Sequence, residues 1–273
     1  MKRFFPRAEV DWSIRRDPAS GQADVRIDVD EGPKARIREL TFRGNTSMDD
    51  KTLRKAMRQK TAGWFTWLTK SGRLDRDQLQ ADILSIRQTY RDRGYLDVRV
   101  GEPEIEAREA GGLAVTLPVD EGPQYRVGGV RVTGGDVFTN DRLREAVSLT
   151  RGDIASASGI HASARRIQDL YGVRGYIRTL VQPVLNADLE QGTVDIRFDV
   201  REGRQSSIGD IHIEGNTRTK DKVIRRELIV YPGEVFNEVR VETSERRLKN
   251  LGYFSRVQSR PESTPDQAVH DLV

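Results

Sequence analysis

The 273-residue sequence contains no cysteine, which excludes disulfides, thiolate metal sites and a cysteine nucleophile. It has no run of 18 apolar residues, so no membrane-spanning helix is expected. Aromatic residues are sparse, at 7%, and His161, His212 and His270 lie far apart, which argues against a histidine metal cluster within one segment. No long block of one charge exists. The 46 basic and 42 acidic side chains interleave to a net +4. A nucleic-acid-binding module would gather basic residues on one face with stacking aromatics, so it stays a distant alternative. No nucleophile elbow, phosphate loop or dinucleotide fingerprint falls in a fitting strand–helix context. The sequence is therefore read as non-enzymatic, with no cofactor and no metal.

What is present is repetition. Apolar residues make up only 36% of the chain but are strongly patterned, as several small domains would require. Three landmarks recur in order. A strand ending in glycine reads Ile37-x-x-Leu40-x-Phe42-x-Gly44, then Val127-x-x-Val130-x-Val132-x-Gly134, then Ile208-x-x-Ile211-x-Ile213-x-Gly215. Two helices follow. The first carries Leu53 and Met57, Leu143 and Val147, or Ile224 and Leu228, with Ser47, and Thr139 or Asn140, as capping candidates. The second closes on Gly94-Tyr95, Gly175-Tyr176 or Gly252-Tyr253. A pair of strands comes last. The final one alternates strictly, as in Leu113, Val115, Leu117 and Val119, before Glu121-Gly122 or Glu202-Gly203.

Each unit thus reads β-α-α-β-β. The helix pair returns the chain so that the last strand runs parallel to the first and is expected at the centre of a three-stranded mixed sheet covered on one face by two antiparallel helices. The fold class is α+β, in tandem domains. Residues 1–31 read as the last two strands of a preceding unit, with Asp17-Pro18-Ala19-Ser20-Gly21 as their turn, and are expected to fray or to lean on the next unit. Complete units span 32–121 and 122–202, and 203–273 reads as a unit whose last strand is cut short, so the chain is taken as an excerpt. Gly32, Gly122 and Gly203 mark hinges. Proline follows the first two and arginine the third, so the joint near 203 is expected to bend more readily than that near 122.

With a glycine-asparagine after the first strand (Gly44-Asn45, Gly215-Asn216), Gly-Tyr before the second and Glu-Gly after the third, the units resemble POTRA domains of the Omp85 superfamily. Trp64, Phe65, Trp67 and Leu68, inserted between the helices of the first complete unit, resemble an insertion of the third POTRA in its BamA branch. Val223–Leu228 and Arg247–Phe254 resemble the last POTRA of that branch. By this match the chain is the end of the second POTRA plus the third, fourth and fifth. Gly134-Gly135 and Gly203-Arg204 depart from the pattern. TamA-like assembly factors and two-partner secretion transporters are the alternatives within the superfamily.

The resemblance implies a periplasmic region that receives unfolded outer-membrane proteins, docks accessory lipoproteins of the BamD type, and is attached to a C-terminal outer-membrane β-barrel. The mechanism it implies is strand addition to an open sheet edge. The edge residues are expected to be Tyr95, Leu96, Asp97, Val98, Arg99 and Val100; Tyr176, Ile177, Arg178, Thr179, Leu180 and Val181; and Tyr253, Phe254, Ser255, Arg256, Val257 and Gln258. The trailing Pro103, Pro183 and Pro261 are read as a limit on pairing. Arg225, Arg226 and Glu227 are read chiefly as an exposed helix face, with lipoprotein docking the alternative. The Gly-Tyr tyrosines are read as packing, and Glu31, Glu121 and Glu202 as solvated or turn-stabilising carboxylates. The four-residue aromatic patch either caps its own core or offers a surface for a partner or for weak contact with a membrane.

Overall fold

A computed structural model describes residues 9–16, 23–30, 36–58, 74–108 and 112–273. Glu31, Gly32 and the Trp64–Leu68 insertion lie outside them, as does the proposed turn at 17–21. The described chain forms two compact units, residues 1–124 and 125–273.

The first unit opens with β1 (Glu9–Arg16) and β2 (Ala23–Asp30), antiparallel and in register from Glu9↔Asp30 to Arg16↔Ala23. Val10, Trp12 and Ile14 lie opposite Val29, Ile27 and Val25 on one face, and all six are exposed. The complete repeat follows as β3 (Ile37–Arg43), α1 (Asp50–Ala56), α2 (Arg76–Arg91), β4 (Arg99–Val100), β5 (Glu104–Ala107) and β6 (Leu113–Asp120). β6 is central, parallel to β3 and antiparallel to β4 and β5. The three-residue step from Ile37 to Leu40 has a physical cause. The register with β6 shifts between Ile37 and Glu39, so both side chains turn inward and are buried. Leu53, Leu79, Ile83, Ile86 and Tyr90 cover them from the helices, and Leu113, Val115 and Leu117 complete the core from β6.

The second unit holds two repeats. The first is β7 (Arg126–Thr133), α3 (Asn140–Glu145), α4 (Ala157–Val173), β8 (Leu180–Asp188) and β9 (Thr193–Arg201), in sheet order β7-β9-β8. The second is β10 (Ser207–Ile211), α5 (Asp221–Arg225), α6 (Glu238–Asn250), β11 (Pro261–Ser263) and β12 (Val269–Leu272), in order β10-β12-β11. The last strand of every repeat is central. Helix caps differ in part from expectation. Thr139 caps α3, but α1 is capped by Asp49, which accepts from the Thr52 amide, because Ser47 is engaged elsewhere.

The joint at Gly203, which lacks the proline of Gly122-Pro123, carries hydrogen bonds between the two repeats it connects. The Gly175 carbonyl accepts from the Ser206 amide at 2.8 Å, and the Ser206 carbonyl accepts from the Phe236 amide at 2.8 Å. The Gln205 side-chain amide donates to the Arg174 carbonyl at 2.9 Å, and Asn237 donates to Val173 at 3.1 Å. Ile177, from the turn after α4, packs against the core of the next repeat. We propose that these contacts hold the joint where a proline would otherwise restrict φ. Residual dipolar couplings are expected to fit one alignment tensor across residues 125–202 and 206–273; two distinct tensors would contradict this.

Candidate functional site

Each repeat ends its sheet on one side with its second strand: β4 and β5, β8, or β11. These edges exist as expected, but later in the chain. Arg99 and Val100 lie in β4, and Leu180 and Val181 in β8. Tyr95, Leu96, Asp97 and Val98, like Tyr176, Ile177, Arg178 and Thr179, form the turn before the strand, and none of Tyr253, Phe254, Ser255, Arg256, Val257 and Gln258 is in a strand. The cause is local. After the Gly-Tyr glycine, the Tyr95 and Tyr176 amides turn back to the carbonyls of Tyr90 and Tyr171, and the Val98 and Thr179 amides then bond Tyr95 and Tyr176. The chain cannot extend until that turn is complete.

Two of the three prolines do not stop the pairing, whereas Pro103 lies in the break between β4 and β5. Pro183 lies inside β8, opposite Phe198, and β8 continues to Asp188. Proline has no N–H, so this position must face away from β9. Pro261, opposite Leu272, obeys the same rule: its neighbour Arg260 exchanges both bonds with Val273, at 2.9 and 3.0 Å. Alternation then assigns the outward backbone groups of β8 to Val181, Pro183, Leu185 and Ala187.

The carboxylates that end the central strands are anchors. Glu121 is buried, 8% exposed. It accepts from the Thr46 hydroxyl at 2.6 Å, the Ser47 amide at 2.9 Å, the Ser47 hydroxyl at 2.8 Å and the buried Tyr90 hydroxyl at 2.9 Å. Burial pushes its carboxyl up, but the hydrogen bonds from Thr46, Ser47 and Tyr90 outweigh it and hold the group below the usual glutamate range. Burial, aided by this carboxylate, pushes the Tyr90 phenol well above its ordinary range. Glu202 stands at the matching position and accepts from the Val137 amide at 2.9 Å. The solvated reading is thus wrong for Glu121, and the turn-stabilising one describes it. The signal was available in the sequence: Tyr90–Glu121 and Tyr171–Glu202 share one spacing.

The POTRA profile, described as surface antigen variable number repeat, matches residues 35–122, 125–203 and 206–273. The chain belongs to the POTRA family. Outer membrane protein assembly factor BamA of Neisseria meningitidis serogroup B is 30% identical over 247 residues, covering 88% of this chain and 30% of the relative. BamA of Nitratidesulfovibrio vulgaris is 25% identical over 275 residues, covering 99% of this chain and 35% of the relative. The crystal structure of Haemophilus influenzae BamA POTRA3-5 superposes with a TM-score of 0.73 at 26% identity, over 88% of this chain and 96% of that one. The chain spans about a third of the length of the curated relatives it matches.

Within this POTRA array the remaining candidates divide. Tyr95 packs edge-on against Tyr90 at 5.8 Å and Tyr176 against Tyr171 at 6.1 Å, as the packing reading holds. Tyr253 is 65% exposed, because Leu248 replaces the partner ring. Arg225 donates to the Ile211 carbonyl at 3.0 Å, as Arg54 does to Leu40 at 2.7 Å in the first complete POTRA, so it clamps a helix to a strand. Arg226 and Glu227 form an ion pair at 3.2 Å with the arginine exposed. Sequence reading missed that Asp210, His212 and Asp271 meet across β10 and β12. Asp271 accepts from the Asp210 backbone amide at 2.8 Å and lies 3.7 Å from the His212 ring. It also missed a cavity of about 450 Å³ in the last POTRA, lined by Ile213, Ile224, Leu228, Val241 and Leu248. Among the described residues no helix is long and apolar enough to cross a membrane.

Proposed function

We propose that this POTRA array is a periplasmic scaffold and receptor of the outer-membrane β-barrel assembly machinery. It binds unfolded outer-membrane proteins by strand addition, docks accessory lipoproteins of the BamD type, and works beside a C-terminal outer-membrane barrel. No catalytic step is assigned to it. One observation carries the reading: every repeat leaves one side of its second strand without a ladder partner among the described residues. Such an edge offers N–H and C=O groups to any extended chain, largely without regard to sequence, which suits a receptor for many clients. The similarity to BamA proteins supports the cellular setting. For lipoprotein docking, exposed Arg226 and its half-buried partner Glu227 are the remaining candidates, with the Arg225 side chain engaged by its own fold.

The test is to titrate a labelled peptide copying an outer-membrane barrel strand and to map backbone amide shifts. Shifts concentrated in residues 99–107, 180–188 or 256–263 are expected. Shifts confined to the surfaces of α2, α4 and α6 would reject strand addition.

A further inference from the structure

The three edges are not equally open, and resting on the strand-addition reading, we infer that β8 of the middle repeat is the edge that takes the incoming strand. The same helical position decides each case: Arg87, Gln168 and Glu245 occupy matching places on the second helices. Arg87 donates to the Val100 carbonyl at 2.8 Å. Val100 lies opposite Val119, one residue from Gly101, whose amide bonds inward to Pro118 at 2.9 Å, so the carbonyl that Arg87 takes faces outward. In the last repeat Glu245 accepts from the Ser259 amide at 2.7 Å, and by alternation from Pro261 that amide also faces outward. Both side chains occupy a group that an added strand would need. Gln168 reaches instead to the Thr179 carbonyl at 3.4 Å, before β8 begins. Among the described residues no donor takes the Val181 carbonyl.

Strand continuity points the same way. Between Val100↔Val119 and Glu104↔Thr116 the first edge carries one extra residue, a bulge at Glu102-Pro103 that breaks the edge into β4 and β5. β11 has three residues. β8 runs nine residues without a shift, from Leu180↔Arg201 to Asp188↔Thr193. Leu185, opposite Ile196 on the core-facing side, is 42% exposed, so an apolar side chain on one face of an extended client would find a contact there. The occupant is an extended segment of another polypeptide with alternating apolar residues. Pro183 sets its register, because no donor stands at that step and the client's ladder must skip a bond.

The probe is a lysine-flanked peptide of eight alternating valine and threonine residues, added to the full 273-residue chain. Amide exchange is expected to slow at Val181, Leu185 and Ala187. Leu185→Pro removes an outward donor that β9 does not use, so the fold should keep its melting temperature while affinity drops about tenfold. Pro183→Val restores the missing donor and should tighten binding about threefold, a readout that stands even where Leu185→Pro fails to fold. Binding that survives Leu185→Pro, with protection at Ile105 and Ala107 or at Ser259, overturns the assignment to β8 and leaves strand addition intact. Protection on no edge overturns both. A concentration-dependent dimer of the chain alone, abolished by Leu185→Pro, shows a second copy as the occupant and also overturns the inference.

Discussion

Replacing Glu121 with alanine is expected to destabilise the first complete POTRA by about 3–4 kcal/mol, the larger of the effects available at a strand-end carboxylate. Four donors converge on this one group, from Thr46, the Ser47 amide and hydroxyl, and Tyr90. Hydrogen bonds to an ionised acceptor contribute about 1.5–3 kcal/mol each, but the Thr46 and Ser47 hydroxyls can turn to water when the carboxylate is gone. The buried Tyr90 hydroxyl has less freedom, and its lost partner dominates the cost. Glu202→Ala should cost about half as much, since the Val137 amide donates to it at 2.9 Å while the nearby Tyr171 hydroxyl faces it too loosely for a well-formed hydrogen bond. The pH dependence has a defined sign. Folding lowers the Glu121 pKa, so its stabilisation is present above the unfolded glutamate value and is lost as pH falls through the folded one. Glu121→Ala should therefore flatten the acid limb of a stability profile. Urea titrations read by amide exchange in residues 36–124 measure both effects. A smaller loss for Glu121→Ala than for Glu202→Ala would refute the account.

The anchor also shows where sequence reading ends. The order β-α-α-β-β and the central last strand were legible, because burial on one face writes period-2 alternation and helix pairs write i, i+4 spacing. Leu113, Val115 and Leu117 needed no structure to be placed inside. What was not legible depends on contacts distant in sequence. A recurring glutamate before a glycine looks the same whether it faces water or the Tyr90 hydroxyl. The start of the edge strands was misplaced because Tyr95 and Tyr176 are good strand formers that a local turn holds out of the ladder. The edge itself could be foreseen from topology. Its closure by Arg87 in one repeat and Glu245 in another could not, since each depends on which backbone groups face outward.

Gly44→Ala is the second large effect expected, at about 4 kcal/mol. Gly44 has φ +90°, and a Cβ built there would stand 2.2 Å from the Val119 carbonyl oxygen on β6. The left-handed backbone alone costs an L-residue about 1–2 kcal/mol. The rest comes from displacing main chain, which cannot rotate away as a side chain can. Gly134 repeats the arrangement, with φ +81° and the Val200 oxygen at 2.3 Å. Gly215 supplies the control, because its φ is +77° but nothing lies within 4 Å of a Cβ there. Gly215→Ala should therefore cost only the backbone share, about 1–2 kcal/mol. Urea unfolding of the three alanine variants, resolved repeat by repeat through amide exchange, separates the two contributions. Equal losses at Gly44 and Gly215 would show that the close approach to β6 carries no energy. The position bears on recognition as well. Val119 pairs with Val100 of the edge, so a central strand pushed aside at that point shifts the register of the edge strand beside it.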